Sequence, residues 1–185
     1  MAAQLNDSEK TTKKEIWSLD PAHTKVQFSV RHMIISEVAG HFNNFDIQVF
    51  AGPDFSDSEI KATIDVKSIN TGIADRDNHL KSPDFFDVEK FEQILFKSNK
   101  IEKLDDEEFK LSGDLTIRDI TKPIELKVIY GGTVKDPWGK TRAGFKVLGS
   151  LNRFDYDLKW NALMEAGGAV VGKTINLICD VEVVK

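Results

Sequence analysis

A single cysteine, Cys179, stands among 185 residues. That excludes an internal disulfide, leaves no CxxC pair for a metal or redox site, and agrees with a reducing compartment. The opening MAAQLNDSEKTTKKE holds no continuous apolar segment, so it does not read as a secretory leader. The chain as it stands is therefore expected in the cytoplasm, and in the periplasm if a leader once preceded it. Positive charge is in deficit. A formal net charge of -5 argues against nucleic acid as a partner, because that binding rests largely on Lys and Arg neutralising phosphates. Heptads, a Gly-rich phosphate loop, a G-x-S-x-G elbow and a repeat period of about 20–50 residues are all missing, which removes coiled coils, nucleotide loops, serine hydrolase elbows, propellers and solenoids.

What is present is ordinary for a globular chain: 41% hydrophobic and 30% charged residues, which argues against disorder and against a membrane span. The length suits one sizeable core. The expected division is a polar N-terminal arm over residues 1–15 and one domain over 16–185.

Beyond the arm, short segments alternate apolar and polar residues between Gly, Pro, Asp and Asn, the pattern of strands wet on one face only. In KVQFSVRHM, Val26, Phe28, Val30 and His32 share a face because successive strand side chains point oppositely. EIKATIDV aligns Ile60, Ala62, Ile64 and Val66; FKLSGDLTI aligns Phe109, Leu111, Gly113, Leu115 and Ile117. IELKVIY, FKVLGSL and INLICDVEV repeat the pattern, and with VAGHFNNFDIQVF and QILFKSNKI they bring the count to about eight strands. One dry face in an antiparallel protein means a sandwich or a closed barrel, and about eight strands enclose either packed side chains or one small ligand. Small inward residues such as Ala62, Gly113 and Gly149 predict room inside.

One stretch predicts a helix: TGIADRDNHLKSPDFFD, with Asp75 as N-cap, Asp77 and Lys81 as an i,i+4 pair, and Pro83 as the stop. Its Arg76, Asp77 and His79 offer a cation, a base and a titratable ring, so acid–base chemistry is one reading. At about 100° per residue, however, the three spread around the axis and do not converge. The other reading is a short lid whose Leu80, Phe85 and Phe86 plug an apolar opening. His23, His32 and His41 recur every nine residues; an odd spacing alternates faces along a strand, and no Cys-rich or carboxylate-rich set accompanies them, so no metal site is expected. Cys179, on an inward row, reads as a small buried hydrophobe. LDDEEF and KDPWGKT read as hairpin turns, the second with an exposed Trp138.

Taken in order, LDPAHTKVQFSVRHM, VAGHFNNFD, SINTGIADRDNHLKSPDFFD, LSGDLTIRDITKPIEL and GFKVLGSLNRFDYDL resemble the bacterial YceI-like family across residues 16–185. Two departures stand out: Asp119 where the family often has Gly, and KFEQ in place of a common aromatic-Pro pair. The resemblance implies an all-β fold, an extended eight-stranded antiparallel lipocalin-like barrel with one short helix between strands. It also implies an isoprenoid-type lipid bound in an apolar tunnel, and a homodimer. His23, Phe28, His32, Arg76, Asp77, His79, Phe86 and Arg153 are the family-patterned positions.

The expectation is thus a lipid binder, not an enzyme, that needs no cofactor or metal and takes an isoprenoid or isoprenoid quinone for carriage, storage or sequestration. Burial of each CH₂ supplies about 0.8 kcal/mol. Transport, storage and stress protection remain open as the process served. The expected lining is Phe28, Val30, His32, Phe45, Ile64, Phe96, Leu115, Ile117, Phe145 and Leu177, with Leu80, Phe85 and Phe86 at the mouth. Asp75, Arg76, Asp77 and His79 would form the polar side of the lid. The competing readings are an enzyme on an amphiphilic substrate and an interaction module filled by its own side chains.

Overall fold

The computed structural model describes residues 13–163 and 169–185. Most of the arm expected over residues 1–15 lies outside the described residues. The end of that stretch is already structured: Lys14 Nζ donates to Glu59 at 2.8 Å, and Glu15 opens the first strand.

Among the described residues eleven strands follow in chain order: β1 (Glu15–Leu19), β2 (Lys25–His32), β3 (Ser36–Phe42), β4 (Phe45–Ala51), β5 (Glu59–Asp65), β6 (Ile69–Asn70), β7 (Gln93–Lys103), β8 (Glu108–Ile117), β9 (Ile120–Lys135), β10 (Thr141–Asn152) and β11 (Val171–Val184). Among the described residues the one α-helix, α1 (Ala74–Lys81), lies between β6 and β7. Eight strands, β1, β4, β5 and β7 to β11, close an antiparallel ring, sealed where β1 pairs with β4 on one side and with β11 on the other. The barrel is lipocalin-like and closed, with β2, β3 and β6 extending it from the free edge of β11.

The ring is not composed of the eight segments counted from sequence. VAGHFNNFDIQVF breaks at Asn43–Asn44 into β3 and β4, which do not pair with each other: the Asn43 side chain donates to the Ser68 carbonyl and the Asn44 backbone N–H to the Ser68 hydroxyl instead of continuing a ladder. EIWSL, too short to show alternation, supplies the missing ring strand through one buried side chain, Trp17.

β11 is shared along one edge: Val171 and Ile175 to Asp180 pair with β2, and Val183 and Val184 pair with β1. Its first half therefore belongs to the flared end and its second half to the closed end. At the closed end Trp17, Phe55, Ala51, Ala143 and Val183 form a dry plug. Phe55 sits at φ +60 in the β4–β5 loop with its ring 5.1 Å from Trp17 and 4.9 Å from Phe145. Outside the plug, Arg142 donates to Asp20, Asp136 and Glu182, tying three chain segments together. Trp138, 81% exposed, lies in the β9–β10 turn at this end, away from the flared mouth.

The Arg118–Asp119 turn shows why Asp119 is tolerated. Arg118, not Asp119, takes the left-handed conformation at φ +58, so position 119 makes no demand that only glycine meets. Among the described residues no helix is long and apolar enough to cross a membrane.

Candidate functional site

The inward rows enclose two apolar chambers in series. The inner one, about 190 Å³, reaches the plug through Phe55, Val49 and Val181; the outer one, about 440 Å³, opens beneath α1. Phe28, Phe42, Ile94, Ile117, Leu151 and Leu177 border both and form a waist between them. β11 runs the length of the lumen, from Val171 in the outer chamber to Val181 in the inner. Ten residues at about 3.3 Å each, tilted roughly 40°, make a lumen on the order of 25 Å long.

The expected lining residues border one chamber or the other, with one exception. Phe45 shares the inward row of Ile47 and Val49, but as the first residue of β4 it packs against the core instead of bordering the lumen. The glycines do not act as expected. A Cβ on Gly113 would stand 2.5 Å from the Phe96 ring, and one on Gly40 2.5 Å from Phe28 Cζ. The space they leave is occupied by neighbouring aromatic rings, and over Gly149 by Leu126.

The α1 segment is built around Thr71. Asp77 accepts from the Thr71 backbone N–H at 2.9 Å and from its hydroxyl at 2.6 Å; Arg76 donates to the same hydroxyl and to the Thr71 carbonyl, both at 2.7 Å. Asp77 is thus spent on Thr71 instead of the expected pair with Lys81. The N-cap is Ile73, with no side-chain cap, and Asp75 falls inside the first turn. Ser82 stops the helix in extended backbone, as its position before Pro83 requires.

Arg76, His79, Leu80, Phe85 and Phe86 border the outer chamber, as does Asp75; Asp77 does not. The acid–base trio is therefore split. His79 bonds Asp84 at 2.9 Å and stands edge-on to Phe85 and Trp160, at 5.1 and 4.7 Å between ring centres. His32 borders the outer chamber, His41 bonds Asn43, and His23 sits at the closed end beside Asp20. Asp20, His23 and Glu182 bring three ligand-type atoms within 4.8 Å of one another, yet the Arg142 guanidinium already supplies the cation there. The Arg142 bond, and then His23, holds the Asp20 carboxyl down at about 2. In the inner chamber, burial pushes the Cys179 thiol up to about 11, which keeps it a neutral wall atom.

A match to the YceI-like domain spans residues 17–183, nearly the whole barrel. The chain belongs to the YceI-like family. It is 37% identical over 168 residues to a UPF0312 protein of Staphylococcus aureus, covering 90% of this chain and 95% of that one. The Campylobacter jejuni YCEI protein has the same fold, with a TM-score of 0.74 and 34% identity over 91% of this chain and 96% of that one. Burkholderia cenocepacia BcnA superposes with a TM-score of 0.77 at 19% identity, over 89% and 98%. A polyisoprenoid binding domain from Saccharophagus degradans does so at 0.61 and 15%, over 90% and 97%.

Within this YceI-like barrel, Arg153 is the residue whose role spacing did not reveal. It is 2% exposed and donates to four carbonyls: Gly172 at 2.8 Å, Trp160 at 2.9 Å, Val171 at 3.2 Å and Leu158. It staples the turn after β10 to the start of β11, and so sets one wall of the outer chamber. Trp160, Leu158 and Val170 complete that wall from a loop without periodicity. Only the family-patterned string NRFDYDL signalled the place, and it carried no hint of carbonyl acceptors.

Proposed function

We propose that this YceI-like chain binds a long amphiphilic lipid, an isoprenoid or isoprenoid quinone, within the barrel, for carriage, storage or sequestration and without chemical conversion. One observation carries the reading: two apolar chambers joined at a waist, closed at one end by the Trp17–Phe55 plug and bordered at the other by α1. A narrow blind lumen of this length suits a single unbranched or methyl-branched chain, with the few polar groups at the mouth left for a head group. Phe28, Ile64, Phe96, Leu115, Ile117, Phe145 and Leu177 would hold the chain, and Val30, His32, Leu80, Phe85 and Phe86 its outer part. The likeness to a domain described as polyisoprenoid binding supports this choice of ligand. Asp77 supports binding over catalysis, since both its contacts serve to hold the lid to Thr71.

Organic extraction of the purified protein followed by mass spectrometry tests the proposal. A co-purifying long-chain lipid, or stoichiometric uptake of added prenyl chain, is the expected result. Reproducible absence of both overturns it.

A further inference from the structure

The β2–β3 hairpin at the flared end is built against ordinary turn chemistry. Its connection is Met33, Ile34 and Ile35, exposed at 41%, 60% and 88%. Met33 and Ile34 lie at φ +48 and +69, where Asn or Gly is at home and a β-branched side chain is strained. Burial does not compensate that strain, because the side chains point into solvent. The tip is also fixed in place: Met33 N–H donates to the Val170 carbonyl at 2.9 Å, and Val170 N–H donates to Ala162 at 2.9 Å. This ladder links the tip through Val170 to Ala162, whose chain neighbour Leu163 is 86% exposed. Arg31, His32, Val170 and Val171 from the same ladder border the outer chamber, so the apolar tip stands on its rim.

On the β2–β3 side of the rim the charge is positive, while Asp75 borders the same chamber from α1. In a chain of 30 acidic and 25 basic residues, the stretch from Phe28 to Ser36 carries Arg31 and His32 and no acid. Gly172 packs on the Arg31 backbone and places exposed Lys173 beside it. Lys159 is engaged by Asp157 at 2.7 Å, and Glu37, opposite Arg31 on β3, is the acidic neighbour.

We infer that the Met33–Ile35 tip, with Leu163 and the cations Arg31 and Lys173, docks the open end of the barrel on an anionic phospholipid bilayer. The inference rests on the lipid-binding reading: a water-insoluble chain must leave and enter a lipid phase, and this rim surrounds the end through which it would pass. Apolar side chains of this kind settle at the head-group boundary, and flanking cations add attraction to anionic lipid. The strained turn keeps isoleucine where asparagine would fold more easily because the surface, not the turn, needs it.

Flotation of the intact protein with vesicles of phosphatidylcholine and phosphatidylglycerol, compared with phosphatidylcholine alone, is the test, paired with the double substitution Ile34→Asn, Ile35→Ser. The wild type should float with the anionic vesicles, and the variant at least tenfold less, with a melting temperature unchanged or raised because Asn accepts the left-handed backbone. Uptake of prenyl chain delivered from ethanol should be equal in the two proteins, while uptake from vesicles should be at least tenfold slower in the variant. Wild-type protein that stays unbound, or a variant that floats equally well, overturns the docking inference. So does a concentration-dependent dimer, seen by sedimentation, that the substitutions abolish without changing vesicle binding: the rim would then face a second copy. If neither protein takes up chain from ethanol, the lipid-binding reading itself falls.

Discussion

Gly40→Ala probes the waist. Gly40 pairs with Phe28 across β2 and β3, and a Cβ there would stand 2.5 Å from Phe28 Cζ and 2.9 Å from Thr71 Cγ2. Carbon atoms rest at about 3.5–4.0 Å, so the Phe28 ring must retreat by roughly 1 Å. It borders both chambers, and its retreat is into the waist. Overpacking of this kind costs about 1–3 kcal/mol of stability, a melting-temperature loss on the order of 2–10 °C at this chain length. The larger effect falls on long ligands. A chain excluded from the inner chamber by one isoprene unit leaves five carbons in water, worth about 4 kcal/mol at about 0.8 kcal/mol each. Even half of that lowers affinity roughly 30-fold. Titration of short and long prenyl alcohols, followed by fluorescence of Trp160 at the mouth, should show long-chain affinity falling while that of a chain confined to the outer chamber holds. Adding Phe28→Leu to the same protein should restore the long-chain affinity, because the two positions couple through direct contact. Equal losses for short and long chains, or no loss in a variant shown to be folded, would refute the two-chamber reasoning.

Other expectations follow from the same geometry. Phe96→Arg puts an unpaired cation on the inner wall and should abolish uptake; unchanged binding in an extraction assay would remove Phe96 from the lining. Arg153→Lys keeps the charge but cannot span four carbonyls with a compact ammonium, so orphaned acceptors should cost about 2–4 kcal/mol in a denaturant titration; a cost below about 0.5 kcal/mol would show the staple to be dispensable. Asp20 has a folded pKa of about 2 against an ordinary 3.8, so it stabilises the protein above pH 4 and loses that contribution as pH falls toward 2. The stability gap between wild type and Asp20→Asn, on the order of 1 kcal/mol for a partly exposed pair, should be full at pH 6 and nearly gone at pH 2; a gap that widens in acid would contradict the assignment.

Strands with strict alternation were legible from sequence, as in Phe109 to Ile117, where every second side chain is buried. The lining was readable for the same reason, because period two fixes which side of a strand faces the lumen. The helix was recognised by its i,i+4 spacing and Pro83, but its cap lies at Ile73 with Asp75 inside the first turn, and Asp77 reaches back to Thr71 instead of forward to Lys81, a contact that i,i+4 rules do not contain. What escaped was long-range or aperiodic. Trp17 closes the ring from a five-residue strand with one buried side chain, and Phe55 closes the floor from a loop at positive φ. Arg153 reaches carbonyls at Val171 and Gly172 only after β11 has been laid beside β2. Gly113 and Gly149 misled because an absent side chain marks either empty space or a neighbour's ring, and composition alone does not distinguish them.

The shared edge of β11 has a consequence for how the protein is made. β1 and β2 leave the ribosome long before the strand that both must pair with, since Ser18 meets Val184 and Phe28 meets Leu177. Until then two apolar edges wait unpaired, the condition in which nascent β-chains recruit chaperones or one another. Contacts of such sequence separation also make folding slow. On the proposed lipid-binding function, a bound chain present during synthesis would cover the unfinished inner wall, so lipid supply is expected to raise the yield of folded protein.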